Sequence, residues 1–172
     1  MLKAAGIFLI FMSGTGIGFS KSMEFTRREQ ELRMFLQIAL YLKGAVRCGN
    51  ASLPEAFLET ACKFEGVYRK FLMEVSECLK MANGRTCGSI FRDCAEKNLE
   101  GTALSAEEKE IVFSFGCRLG YLDREMQLRQ IEMFEMELSE ALEHLKKELP
   151  EKKKLCRSMG ILGGILLGVL LW

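Results

Sequence analysis

The residues that could do chemistry in this sequence are few: seven cysteines, one histidine, a crowd of glutamates and a glycine-rich pentapeptide. The cysteines stand at 48, 62, 78, 87, 94, 117 and 156. Their number is odd and no C-x-x-C occurs, so a secreted disulfide framework is not indicated. Most fall on apolar helical faces and read as small buried hydrophobes. Cys87 and Cys94 lie seven apart on one face of a short helix, but a metal would need further ligands. A thiol enzyme would need one cysteine beside His144, the single imidazole, and the spacing does not bring them together. With Glu140 four residues before it, His144 reads as a surface histidine. Gly14-Thr15-Gly16-Ile17-Gly18 lies inside an apolar run with no strand before it, so it is a packing feature and not a phosphate loop. No catalytic, metal or cofactor site is expected. A membrane-anchored thiol-based redox sensor or enzyme stands as the alternative reading.

The glutamates carry more. Glu132, Glu135, Glu137, Glu140 and Glu143 crowd one stretch with no Lys or Arg between Gln130 and His144. A solvated helix face accounts for them. A docking strip for a basic partner accounts for them too, and makes them docking candidates. Whatever they meet, it is not nucleic acid: 24 basic residues balance 23 acidic ones, where a nucleic-acid binder would show a basic excess. A content of 49% hydrophobic and 27% charged residues excludes a disordered chain, and two prolines favour uninterrupted helices.

The charge is confined to the middle. Residues 4–20 and 158–172 carry none. At 1.5 Å per residue they reach about 25 and 22 Å, against a hydrocarbon core of roughly 30 Å. Glycines at 14, 16 and 18, and at 163, 164 and 168, would allow close helix approach, and Trp172 suits an interface. The expected domains are a transmembrane helix over 1–20, a helical domain over 21–157 and a second transmembrane helix over 158–172. Lys21, Arg27, Arg28 and Arg33 follow the first segment. Lys146, Lys147, Lys152, Lys153, Lys154 and Arg157 precede the second. Both biases place the middle domain in the cytoplasm.

That domain reads as all-α, with six helices. The first runs from Met23 to Cys48 on the stripe Phe25, Leu32, Phe35, Leu36, Ile38, Ala39, Leu42, Val46 and ends at Gly49-Asn50. Ser52-Leu53-Pro54-Glu55 and Ser105-Ala106-Glu107-Glu108 are capping boxes that open the second and fifth helices. The third spans about Val67 to Met81 and stops at Asn83-Gly84. Thr86 caps the fourth, and Gly120 closes the fifth. Asp123 caps a long sixth helix with the stripe Ile131, Phe134, Leu138, Ala141, Leu145. A break is expected near Leu149, before Pro150. The two long helices are expected to pair antiparallel, with the four short ones closing the far end.

Several short motifs recur here in a particular order. They are Gly49-x-x-x-Leu53-Pro54-Glu55-Ala56, then Phe115-Gly116-x-x-Leu119-Gly120-x-x-Asp123-Arg124-x-x-Gln127, then the glutamate-rich helix and Leu162-Gly163-Gly164-Ile165-Leu166-Leu167. In order and length the chain resembles the stage III sporulation protein AB family of endospore-forming bacteria. The resemblance implies a membrane component of the sporulation channel between mother cell and forespore. It implies a soluble domain similar to the cytoplasmic domains of type II secretion and type IV pilus inner-membrane platform proteins. The implied partners are the sporulation secretion-type ATPase, other membrane and ring components of the channel, and membrane lipid. The implied location is the mother-cell side of the membrane around the forespore. Gly49, Leu53, Gly120, Asp123 and Gln127 join the docking candidates on this basis, although Gly120 and Asp123 also have structural work to do. Lys43 and Ala45 depart from the acids expected at their positions.

Overall fold

Start signals in the sequence set the helices of the computed structural model. It describes the backbone of residues 2–48, 52–81, 84–120 and 123–170, and the side chains of 23–48, 52–81, 84–120 and 123–147. The helices are α1 (Leu2–Cys48), α2 (Leu53–Ala61), α3 (Gly66–Lys80), α4 (Cys87–Leu99), α5 (Ala106–Arg118) and α6 (Arg124–Leu170). Among the described residues there is no strand. Each expected N-cap acts as one. The Glu55 carboxylate accepts the Ser52 N–H at 2.7 Å, and the Glu108 carboxylate accepts the Ser105 N–H at 2.7 Å. Thr86 Oγ1 accepts the Ser89 N–H at 3.2 Å, and Asp123 Oδ1 accepts the Met126 N–H at 2.8 Å. These contacts satisfy N–H groups that a helix start leaves without partners. Gly66 and Gly84 take φ of +61° and +81°, a region that side chains avoid, and so mark the chain reversals before α3 and after it.

Two expectations about boundaries fail. The apolar N-terminal stretch and the helix expected from Met23 are one continuous α1. Pro150 does not break α6, which runs unbroken to Leu170. A proline removes a single N–H donor, and strong helix formers on both sides hold the remaining ladder. Among the described residues no helix is long and apolar enough to cross a membrane. The expected spans 1–20 and 158–172 lie outside the residues whose side chains are described, as do Gly49 and Asn50.

The chain divides into two units, 30–142 and a second made of 1–29 with 143–172. In the second unit Leu145 is buried and Arg28 lies 5.8 Å from the Phe25 ring centre. The larger unit holds the core. From α1 it takes Leu32, Phe35, Ile38, Ala39, Leu42 and Val46; from α6 it takes Ile131, Phe134, Leu138 and Leu142, each at most 8% exposed. Phe25, Leu36 and Ala141 were expected in these stripes and are half-buried. Leu142 takes the place of Ala141, because the larger side chain one residue on gains more from burial. Contacts from Arg124 to Val46, and from Lys43 to Glu132 and Glu135, set α1 and α6 antiparallel in this unit.

An aromatic chain joins the short helices to α6. Phe91 of α4 sits between Phe57, Phe71 and Phe115, with ring centres 6.0, 5.3 and 5.9 Å away. Phe115 then stacks on Phe134 at 4.0 Å. Helices α4 and α5 meet closely enough that two glycines are required. A Cβ at Gly116 would fall 2.3 Å from Phe91 Cδ1, and one at Gly88 would fall 2.8 Å from Cys117 Cα.

Candidate docking site

The glutamates of α6 do not form one free strip. Glu135 receives a hydrogen bond from Lys43 Nζ at 3.0 Å, and Glu132 lies 3.2 Å from the same nitrogen. Glu135 holds the Lys43 ammonium above its ordinary pKa, against the opposing effect of burial, and Glu132 adds to it. Glu137 faces α5, where Arg118 grips it with two hydrogen bonds of 2.7 and 2.6 Å. That fork is the strong geometry for an arginine and a carboxylate, and it pushes the Arg118 pKa up. Glu140 is exposed, and Glu132 keeps 54% of its side chain in solvent. In the other unit Glu143 is exposed, 3.8 Å from Lys147. A docking strip for a basic partner would leave these carboxylates free. Instead Glu132, Glu135 and Glu137 fasten α6 to α1 and α5, since each points to a neighbouring helix that carries a cation.

A second group of candidates gathers at the end of the larger unit where α1 finishes and α6 begins. Asp123 is exposed and caps α6, as its type predicts. Arg124 follows it. A cation in the first turn opposes the helix dipole, so its position asks for another reason. The reason is α1: Arg124 Nε donates to the Val46 carbonyl at 2.9 Å, and its Nη2 donates to the Arg47 carbonyl. These are carbonyls that a helix end leaves without partners. Arg124 thus ties the start of one long helix to the end of the other. Glu125, Met126 and Asp123 stand exposed around it, Met126 by 44%. Gln127 is half-buried.

Gly120 does less as a helix stop than expected. Helix α5 ends at Arg118, and Gly120 has no positive φ. Its value is room: a Cβ there would lie 3.2 Å from Cys87 Cβ at the start of α4. Leu53 is half-buried at the first position of α2. Gly49 lies outside the described residues. Sequence reasoning passed over Arg118 and Arg124 and treated Lys43 only as an oddity. The misplaced cation at the start of α6 was the one available signal for Arg124.

The thiols depart from expectation. Cys87 and Cys94 are buried, but Cys48, Cys62 and Cys117 are exposed and Cys78 is half-buried. The exposed ones sit at helix ends, Cys48 closing α1, Cys62 just after α2 and Cys117 one residue before the end of α5. The side chain of Cys156 lies outside the described ones. Burial pushes the Cys87 thiol up to about 11, with the Cys117 sulfur adding to the effect. Burial, then the neighbouring Cys78, pushes the Cys94 thiol up to about 12. Thiols so shifted stay protonated at neutral pH and make poor nucleophiles. No cluster of three or more metal-binding side chains occurs among the described residues.

Known proteins place this arrangement. A solved structure of stage III sporulation protein AB matches it with a TM-score of 0.63 at 18% identity, over 72% of this chain and 97% of that one. At that identity the match speaks for a shared fold. Stage III sporulation protein AB of Bacillus subtilis (strain 168) is 23% identical over 171 residues, covering 99% of each chain. The stage III sporulation protein AB family matches residues 3–172. The chain therefore belongs to the stage III sporulation protein AB family, a family tied to sporulation.

Proposed function

We propose that the chain is a non-enzymatic platform, anchored in the cell membrane by its two apolar ends, that couples a cytoplasmic secretion-type ATPase to the sporulation channel between mother cell and forespore. Its family supplies the process. The charge bias around residues 4–20 and 158–172 supplies the orientation, with the helical domain on the cytoplasmic side. Other membrane and ring components of the channel, and membrane lipid, complete the set of partners.

The observation that carries this reading is the exposed end of the larger unit. Arg124 fixes the end of α1 to the start of α6, so Asp123, Glu125 and Met126 are presented on a rigid base. An exposed apolar side chain within a charged rim is the usual make-up of a docking surface. The α6 glutamates are a weaker candidate for the ATPase, because Glu135 and Glu137 already have partners inside the chain.

Copurification tests the reading. The full chain, tagged and solubilised in detergent from sporulating cells, should bring down the ATPase, and Met126→Glu should reduce its yield. Recovery of the channel's membrane components without the ATPase would refute the coupling role and leave membership of the channel standing.

A further inference from the structure

Helices α3 and α4 bring two thiols together. Helix α3 ends at Lys80 and α4 begins at Cys87, so a short connection turns one back along the other. Glu74 of α3 accepts hydrogen bonds from two side chains of α4, Lys97 at 2.5 Å and Asn98 at 2.8 Å. That clamp fixes the level at which the helices meet. One turn on from Glu74 is Cys78, and one turn back from Asn98 is Cys94. In an antiparallel pair those two steps end at the same level. Asn98 also donates to the Cys94 carbonyl at 2.8 Å, so one side chain holds both the clamp and the turn that carries Cys94. The Cys78 and Cys94 thiols stand within hydrogen-bonding reach of each other. Facing positions on two packed helices have Cα atoms about 5 Å apart, inside the range of about 4.4–6.8 Å that a disulfide spans.

The two thiols differ in access. Cys78 is half-buried, whereas Cys94 is 4% exposed. A dissolved oxidant reaches the first and not the second. Burial also holds the Cys94 thiol protonated, so it reacts poorly with anything that must come to it. Cys78 is already beside it, and contact of this kind replaces an encounter with a high effective concentration.

We propose that Cys78 and Cys94 form a reversible thiol–disulfide lock between α3 and α4, closed by a small disulfide oxidant of the glutathione disulfide class. The Cys78 thiolate attacks one sulfur of the oxidant, forming a mixed disulfide and releasing one small thiolate. Cys94 then gives up its proton, and its sulfur attacks Cys78 Sγ and releases the second small thiolate. Two protein thiols are oxidised and one small disulfide is reduced; the released thiolates take up the two protons that the cysteines lose. A reducing compartment keeps the lock open. An oxidising shift closes it and staples the hairpin whose reversal contains Gly84. The proposal does not depend on the ATPase reading, which uses the end of the unit around Met126.

The test incubates the full chain in detergent micelles with glutathione disulfide, blocks the remaining thiols, and weighs the tryptic peptides. Residues 71–80, which hold Cys78, should be joined to residues 93–97, which hold Cys94. A reducing agent should separate them. The closed form should melt at a higher temperature than the reduced form, because the bridge restrains the unfolded chain. In Cys94→Ala the first step remains and the second is lost, so residues 71–80 should keep one glutathione. In Cys78→Ser, Cys94 should stay a free thiol, which decides the matter even if Cys94→Ala fails to fold. Glutathione retained on Cys78 in the parent chain would overturn the proposal. So would an adduct on Cys94 in Cys78→Ser, or a bridge from Cys87 to Cys117 that leaves Cys78 and Cys94 as thiols.

Discussion

Two glycine-to-alanine substitutions, one buried and one exposed, should change stability in opposite directions. Both glycines sit inside helices, Gly116 in α5 and Gly44 in α1. Helix propensity alone favours alanine over glycine by about 1 kcal/mol at each. Space decides the sign. At Gly44 a Cβ meets nothing within 4 Å, so the full gain of about 1 kcal/mol should appear. At Gly116 the Cβ would lie 2.3, 2.4 and 2.6 Å from Cδ1, Cγ and Cβ of Phe91, where carbon atoms normally sit about 3.5–4.0 Å apart. Phe91 cannot step aside, because Phe57, Phe71 and Phe115 surround its ring. Overpacking of this kind costs about 1–3 kcal/mol. The clash reaches Phe91 Cβ, next to the backbone, so the upper half of that range applies. Gly116→Ala should therefore lose about 1–2 kcal/mol net, and the two variants should differ by about 2–3 kcal/mol. Urea unfolding of the fragment 22–152, followed by circular dichroism at a dilution where it is monomeric, measures both. A Gly116→Ala variant as stable as the parent would show that α4 and α5 do not pack this closely. The reasoning would fail equally if both variants shifted in the same direction.

Other parts of the account have their own tests. Arg124→Ala should cost about 1–3 kcal/mol, from two charge-assisted bonds to backbone carbonyls, and should speed amide exchange in the last turn of α1 first. Lys97, then Asn98, holds the Glu74 carboxyl below its ordinary 4.5. The stability this gives is present above the unfolded carboxyl's pKa and is lost as pH falls through the lower, folded one. Glu74→Gln should thus cost under about 1 kcal/mol at pH 7, and the difference from the parent should vanish in acid. In the folded chain a thiol reagent should label Cys48, Cys62 and Cys117 quickly, and reach Cys87 and Cys94 only after unfolding. Rapid labelling of Cys94 would favour the thiol-enzyme alternative.

The helices were legible where the chain carries local chemistry. Thr86, Ser105 and Asp123 accept from backbone N–H groups three residues on, and Ser52 donates to the Glu55 carboxylate three residues on, so their meaning survives without knowledge of the fold. The stripes on α1 and α6 were legible for the same reason, since periodicity is local. Proline was misread. The bias it places on Leu149 is weak beside the helix-forming residues on either side, and α6 passes through. What could not be read was pairing across the chain. Lys43 meets Glu132 and Glu135, and Arg118 meets Glu137, only because two helices pack together. Nothing in their local spacing marks them as partners. The same holds for Gly116 and Gly120, whose roles are set by Phe91 and Cys87 in another helix. Cysteines mislead for a related reason: their side chains are small enough to sit on either side of a helix.

The central claim is that the domain's exposed end meets the ATPase. The most direct measurement is the affinity between the full chain in lipid nanodiscs and the purified ATPase, at low and high salt. The account predicts saturable binding. Met126→Glu should weaken it about tenfold, equivalent to about 1.4 kcal/mol. Glu132→Gln with Glu140→Gln should leave it nearly unchanged. Loss of binding in the glutamine pair, with Met126→Glu silent, would move the docking surface to the face of α6. No binding by the parent chain under any of these conditions would contradict the coupling role itself.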